Sequence, residues 1–135
     1  MKLITRDTDY AVRALVFMTE HKNRIVSVSE LVKVLKIPRP FLRKILQTLN
    51  KRGMLESYKG QRGGFMLAGS AKKIFLADLM EVFQGPLELN GCLFKKRACP
   101  NRSTCPLRRR ICNIEKNVIS ELGAISIASL VGKGG

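Results

Sequence analysis

The chain has 135 residues, a length that suits one domain, or one small domain with an oligomerisation element. It is 45% hydrophobic and 26% charged, and no apolar run reaches the roughly 18 residues that a membrane span requires. Its start mixes charges of both signs without an apolar signal block, so we expect a cytoplasmic protein. The 25 basic and 10 acidic residues give a net charge of +15, which favours nucleic acid as the partner, with an anionic membrane surface as the competing interpretation.

Two helices are predicted near the start of the chain. Residues 8–21 have helical periodicity, with Thr8 or Asp9 available as the N-cap and His21, the only histidine, expected to be exposed near the end. The core-facing positions of this helix are Ala11, Ala14, Leu15 and Met18. Ser27 and Glu30 form a capping-box pattern, in which each side chain satisfies the other residue's free backbone N–H group. A short second helix should follow, with its inward positions at Leu31, Val32 and Leu35.

A third helix is predicted from about Pro40, because the prolines in residues 36–40 impose a turn, and Gly53 is well placed to end the helix. Its apolar stripe consists of Leu42, Ile45, Leu46 and Leu49. Its other faces carry Arg39, Arg43, Lys44, Gln47 and Lys51. Arginine can donate two hydrogen bonds to guanine, glutamine can pair with adenine, and lysine can hold a phosphate. This helix is therefore the candidate DNA reader.

Two short strands are predicted at residues 54–58 and 65–67, and the turn between them contains three glycines. Three short helices followed by a glycine-tipped hairpin is the order of elements in a winged helix-turn-helix. The hairpin tip would bring Lys59, Gln61 and Arg62 against a minor groove. The fold class that we predict is mainly α with a small β wing.

The rest of the chain contains two further helices and one extra helical turn. A fourth helix is predicted at residues 74–83, where Gly85 and Pro86 stop it. A long helix at about residues 107–122 has an apolar stripe that needs a partner, and Gly123 should end it. The stripe consists of Ile111, Ile114, Val118 and Leu122. Residues 126–131 can form one more helical turn.

All four cysteines lie within 21 residues, at Cys92, Cys99, Cys105 and Cys112. Seven cations and no acidic residue lie among them, which favours the thiolate form that binds a soft metal or an iron–sulfur cluster. The gaps of six, five and six residues are wider than those of common zinc knuckles and suit a loop around a larger cluster. Zinc, unligated thiols, and a disulfide formed on oxidation remain open.

Three segments resemble the IscR/NsrR-type family of bacterial winged-helix regulators. They are TDYAV at 8–12, residues 42–67 with LNKRGMLESYKGQRGGFML at 49–67, and IFLAD at 74–78. The resemblance implies a homodimer with a long crossing helix at about 107–122. It divides the chain into a DNA-binding domain (1–84), a cysteine-bearing cluster loop (85–106), and a dimerisation helix with a C-terminal tail (107–135). It also implies genes repressed or activated under the control of a 2Fe-2S or 4Fe-4S cluster.

The fourth cluster ligand is the point where the sequence departs from that family's best-known pattern. Cys92, Cys99 and Cys105 lie where the cluster-binding members carry their cysteines, but those with two irons have a histidine three residues after the third cysteine. Arg108 occupies that position and cannot ligate iron. Two candidates remain: Cys112, which could equally be a packed core thiol, and Asp9 of the partner chain, which matches a carboxylate ligand of the nitric-oxide-sensing members.

The preferred function is a sequence-specific DNA-binding transcriptional regulator whose operator affinity is modulated by an iron–sulfur cluster that responds to iron, redox state or nitric oxide. A zinc-stapled or cluster-free DNA-binding repressor is the alternative. A small iron–sulfur electron-transfer protein is the alternative from another class. No glycine motif opens a helix after a strand, and a single histidine leaves no catalytic Ser/His/Asp set, so we expect no enzyme activity. We also expect no membrane partner.

Overall fold

The computed structural model of this protein describes residues 3–86 and 106–131, so Cys92, Cys99 and Cys105 lie outside the described residues. The N-terminal part contains α1 (Arg6–Glu20), α2 (Val28–Leu35), α3 (Arg39–Lys51), β1 (Leu55–Tyr58) and β2 (Gly64–Leu67). A 3-10 turn (Ala71–Lys73), α4 (Leu76–Gln84), α5 (Pro106–Gly123) and α6 (Ile127–Leu130) follow. None of the helices in these two stretches has the length and apolar character that crossing a membrane requires.

Helix α1 begins two residues before the predicted start. Thr5, not Thr8 or Asp9, is the N-cap: its backbone is extended, and its hydroxyl accepts a hydrogen bond from the Thr8 N–H group. Thr8 instead turns inward and is fully buried, which explains why its hydroxyl does not cap the helix. His21 is half-buried rather than exposed, because its ring stacks on Phe17 and its Nδ1 lies 2.9 Å from the Phe17 carbonyl oxygen. The four predicted core positions of α1 are all buried.

Helix α2 has half of the predicted capping box. The Ser27 hydroxyl accepts a hydrogen bond of 3.1 Å from the Glu30 N–H group, as expected. The Glu30 carboxylate, however, faces Arg24, whose guanidinium donates two hydrogen bonds to it at 2.9 and 2.6 Å. A bidentate contact with a cation is stronger than one bond to a backbone amide, so Arg24 replaces the reciprocal half of the box.

Helix α3 confirms the predicted amphipathic pattern. It begins at Arg39, one residue before the expected start, and Gly53 follows its C-cap with a φ of 81°, a backbone conformation that glycine adopts without a side-chain penalty. All four residues of the predicted apolar stripe are buried in the main core. That core joins α1, α2, α3 and β1 to Ile127 of α6, so α3 has a fixed position on the domain.

The wing is a two-stranded antiparallel sheet in which Leu55 pairs with Leu67 and Tyr58 pairs with Gly64. A backbone bridge attaches it to the helices: Val26 donates a hydrogen bond of 2.9 Å to the Phe65 carbonyl, and Phe65 returns one of 2.9 Å. The approach is so close that a Cβ atom on Gly64 would lie 2.2 Å from the Val26 carbonyl oxygen. Glycine is therefore required where the wing meets the segment before α2.

Helix α4 begins later than predicted. Ile74 and Phe75 are extended because Phe75 forms an antiparallel bridge with Ser126, while the Leu76 N–H donates to the Ile125 carbonyl at 2.8 Å. Asp78 then accepts a hydrogen bond from the Phe75 N–H at 3.4 Å and helps to start the helix. The predicted stop at Gly85 is confirmed by its φ of 85°.

Helix α5 is anchored at one end only, within the described residues. A second core cluster joins Leu122 to Leu76 and Met80 of α4, with Val118 packed against it. Nearer the start of the helix, apolar side chains lie on the surface: Ile114 of the stripe is 53% exposed, and Leu107 is 60% exposed. This helix confirms the predicted long amphipathic element, and only the Val118 and Leu122 end of its apolar stripe packs in a core cluster of the described residues.

Candidate nucleic-acid interface and cysteine site

The outward residues of α3 form the first part of the candidate interface. All five predicted contact residues on this helix, namely Arg39, Arg43, Lys44, Gln47 and Lys51, are exposed. The Arg39 guanidinium also donates a hydrogen bond of 3.0 Å to the Ser29 hydroxyl, so it links the start of α3 to the first turn of α2. The helix thus presents a polar and basic face while its apolar face is fixed in the core.

A groove of about 440 Å³ runs between α3 and the wing. It brings Arg43 and Gln47 of α3 together with Lys59 and Gln61 of the hairpin turn, as the sequence analysis expected of a reader helix beside a wing. The other predicted residues, Arg39, Lys44, Lys51 and Arg62, are exposed but do not line the groove.

The groove has a third wall that the sequence analysis did not include. Ser27, Val28 and Ser29 line it, so the first turn of α2 opens toward the same space. The first N–H groups of a helix carry partial positive charge and bind phosphate oxygens well. The capping pattern at Ser27 was the signal in the sequence that could have identified this wall, because the start of a helix is a potential anion contact.

Tyr58 is a second residue that the sequence analysis missed. It lines the groove, and its hydroxyl donates a hydrogen bond of 2.7 Å to the Glu56 carboxylate. That bond favours the neutral phenol, so it raises the pKa of Tyr58. Tyr58 therefore adds an aromatic side chain to the wall of the groove.

The two candidate fourth ligands lie on different helices. Asp9 is in the first turn of α1, its side chain is 46% exposed, and one carboxylate oxygen accepts a hydrogen bond of 2.8 Å from Arg13. Cys112 is a half-buried free cysteine on α5 and belongs to neither core cluster, so the interpretation as a packed core thiol is not met within the described residues. Residues 3–86 and 106–131 contain no group of three or more potential metal ligands.

The family model described as "Iron-dependent Transcriptional regulator", named Rrf2, matches residues 4–133. The chain belongs to the Rrf2 family. This finding confirms the family resemblance, and the winged-helix fold class is confirmed as well. The residues that the Rrf2 model matches include both the winged domain and the long helix α5.

One relative and two solved structures are similar to this Rrf2 chain. A protein of Aquifex aeolicus (strain VF5), assigned as an HTH-type transcriptional regulator, is 43% identical over 90 residues, which are 67% of this chain and 62% of that protein. The structure of CymR, the global cysteine regulator of B. subtilis, has a TM-score of 0.81 at 18% identity, with 97% of both chains covered. T. potens IscR has a TM-score of 0.72 at 20% identity, covering 97% of this chain and 86% of that one. At these identities the structures establish the fold of this Rrf2 chain and not its signal.

Proposed function

We propose that this Rrf2 transcriptional regulator binds a double-stranded DNA operator with α3 in the major groove and the wing against the neighbouring minor groove. The observation that carries the proposal is the groove that places Arg43 and Gln47 opposite Lys59 and Gln61. Arginine and glutamine are the side chains that read guanine and adenine edges, and the lysine supplies charge for the backbone. The net charge of +15 attracts the polyanion over a long range.

The first test is binding of the full chain to genomic DNA fragments over a series of salt concentrations. A regulator selects a small set of fragments, and it keeps a preference of roughly 10³-fold or more over random DNA at physiological salt. An electron carrier with the same charge would bind all fragments alike. Equal binding to every fragment would therefore contradict the proposal.

The second part of the proposal is a homodimer formed through α5. Support comes from the exposed apolar side chains of this helix, because Leu107, Ile114 and Ile119 would remain in water in an isolated chain. A second copy of the same helix offers an apolar face of the same kind, and a two-fold dimer would present two copies of α3 to two operator half-sites. The mass of the protein in solution tests this proposal.

The third part is control by an iron–sulfur cluster held by Cys92, Cys99 and Cys105. The fourth ligand is either Cys112 or Asp9 of the partner subunit. The four thiols lie among seven cations, which suits such a group, and the half-exposed Asp9 carboxylate on α1 is accessible to a second chain. When bound, the cluster supplies a centre whose stability depends on iron supply, oxidation state and nitric oxide. A carboxylate ligand is more exchangeable than a thiolate, which suits a sensor.

A visible absorption spectrum of protein purified without oxygen distinguishes the alternatives. A brown chromophore that disappears in a Cys99→Ala variant supports the cluster. A colourless protein with one zinc per chain would support the zinc-stapled repressor, and a colourless protein without metal would support the cluster-free one. Asp9→Asn and Cys112→Ser variants then identify the fourth ligand, because only loss of a true ligand changes the spectrum.

A further inference from the structure

The side chain of Gln84, the last residue of α4, is bound to the start of α1. Its Oε1 accepts a hydrogen bond of 2.9 Å from the Thr5 N–H group and one of 2.8 Å from the Thr8 hydroxyl. Its Nε2 donates a hydrogen bond of 3.0 Å to the Leu3 carbonyl. The two donors and the acceptor fix the orientation of the carboxamide, because the flipped amide would place N–H groups against an N–H donor.

The burial of Thr8 makes this contact important for the stability of the first turn of α1. It is fully buried and is the only polar residue in the buried class among the described residues. A buried hydroxyl that loses its hydrogen bonds is costly, and the Thr8 hydroxyl has two partners, the Gln84 Oε1 and the Thr5 hydroxyl at 3.2 Å, so Gln84, Thr5 and Thr8 hold one another in place. The end of α4 and the first turn of α1 therefore move together.

The same turn of α1 also contacts the reader helix. The Arg6 guanidinium lies over the Phe41 ring, 4.5 Å from its centroid, in a cation–π contact. Phe41 is the third residue of α3, and Arg43 of the interface follows two positions later. One helical turn thus connects the end of α4 to the DNA-reading end of the domain.

Gln84 also lies directly before the cysteine-bearing part of the chain. Only Gly85 and Pro86 separate it from residue 87, and Cys92 is eight positions beyond Gln84 in the sequence. We infer that Gln84 is the positioning residue that couples the cysteine segment to the reader helix, through Thr8 and then through the Arg6–Phe41 contact. This inference rests on the proposed function and identifies how its regulation reaches the DNA.

The test compares operator affinity in two states of the full chain. One state is protein reconstituted with iron and sulfide without oxygen, and the other is apo protein with reduced thiols. The ratio of the two dissociation constants measures the coupling, which a purely structural role for Gln84 would leave unchanged. We expect a ratio of about tenfold in the wild type, a typical allosteric coupling.

Four variants locate the pathway. Gln84→Ala removes all three hydrogen bonds of the first link, and Phe41→Leu removes the second link, so each should bring the ratio to within about twofold of unity. Thr8→Val removes one of the three hydrogen bonds and should lower the ratio. Thr19→Val is the matched control: Thr19 lies on the same helix, but its hydroxyl donates to the Leu15 carbonyl of that helix at 2.7 Å. It should keep the wild-type ratio.

Failure of the inference and failure of the proposed function give different results. A Gln84→Ala variant that keeps the wild-type ratio overturns the inference alone. A wild-type ratio of one overturns the inference together with cluster control, while operator binding itself stands. Binding that does not depend on Arg43 would instead count against the proposed DNA face. If Gln84→Ala does not fold by circular dichroism, Thr8→Val and Phe41→Leu decide the question in the same way.

Discussion

Replacing Gly64 with alanine should detach the wing from the helical domain. The new Cβ atom would lie 2.2 Å from the Val26 carbonyl oxygen, 2.7 Å from its carbon and 2.9 Å from the Ser27 Cα, and all three are backbone atoms that cannot rotate away. The strand must move, which breaks the two hydrogen bonds of 2.9 Å between Val26 and Phe65. At ~1 kcal/mol for each bond, the loss in the free energy of unfolding is about 2 kcal/mol.

The same displacement should weaken DNA binding in a particular way. Lys59 and Arg62 lie on the turn that β2 supports, and if each neutralises one phosphate, their loss reduces the slope of log affinity against log salt by up to about 1.8. Urea denaturation measures the stability, and a salt series with one operator fragment measures the slope. Gly69→Ala is the matched control, since a Cβ atom there meets nothing within 4 Å. Wild-type stability and slope in Gly64→Ala, or equal losses in Gly69→Ala, would refute the reasoning.

Three further predictions concern the interface, the dimer and pH. Arg43→Ala should reduce discrimination between operator variants by ~1–3 kcal/mol. Lys44→Ala should instead weaken binding to all sequences alike and lower the slope of log affinity against log salt by about 1. Equal effects of the two variants on selectivity in competition assays would contradict this prediction. Ile114→Asp should convert a dimer into monomers in sedimentation analysis, because it places a charge on the apolar stripe at a residue that is 53% exposed in the single chain. Asn117→Asp on the same helix should leave the dimer intact. Hydrogen bonds from Arg24 lower the pKa of Glu30 below its ordinary value of 4.5. This pair therefore stabilises the fold above pH 4.5, and the stabilisation is lost as the pH falls through the lowered pKa. Glu30→Gln should therefore cost less than about 1 kcal/mol at pH 7 in urea denaturation, and the cost should shrink as the pH falls below 4.5. The same cost at every pH would show that charge is not the cause.

The sequence predicted the elements whose apolar spacing is unambiguous. Helix α3 needed only its repeating leucines and isoleucine, and α5 followed from the same periodicity between its start and Gly123. The errors occurred where a contact outside the apolar pattern decided the end of a helix or the environment of a side chain. The start of α4 moved because Phe75 pairs with Ser126, and the capping box at Ser27 was half right because Arg24 takes the Glu30 carboxylate. The spacing of apolar residues carries no information on such hydrogen-bond and bridge partners.

The candidate site divides in the same way. Residue chemistry identified Arg43, Gln47, Lys59 and Gln61, and the fold places these four around one groove. Tyr58 was missed because its role depends on how the wing packs beside α3, which the alternation of a strand does not reveal. The Gln84 contact could not be read from the sequence, since its partners lie 76 to 81 positions away.

The first turn of α1 is the place where the two proposals about regulation meet. Thr5 and Thr8 hold the end of α4, Arg6 contacts the reader helix, and Asp9 is a candidate cluster ligand for the partner subunit. If the partner subunit's Asp9 completes the cluster, the first turn of α1 is held by the cluster across the dimer and by Gln84 within the chain. If Cys112 is the ligand instead, the cluster binds α5, and Gln84 is left as the direct link to α3. The ligand variants and the Gln84 variants therefore answer one question together: whether the signal reaches the DNA by one route through α1 or by two.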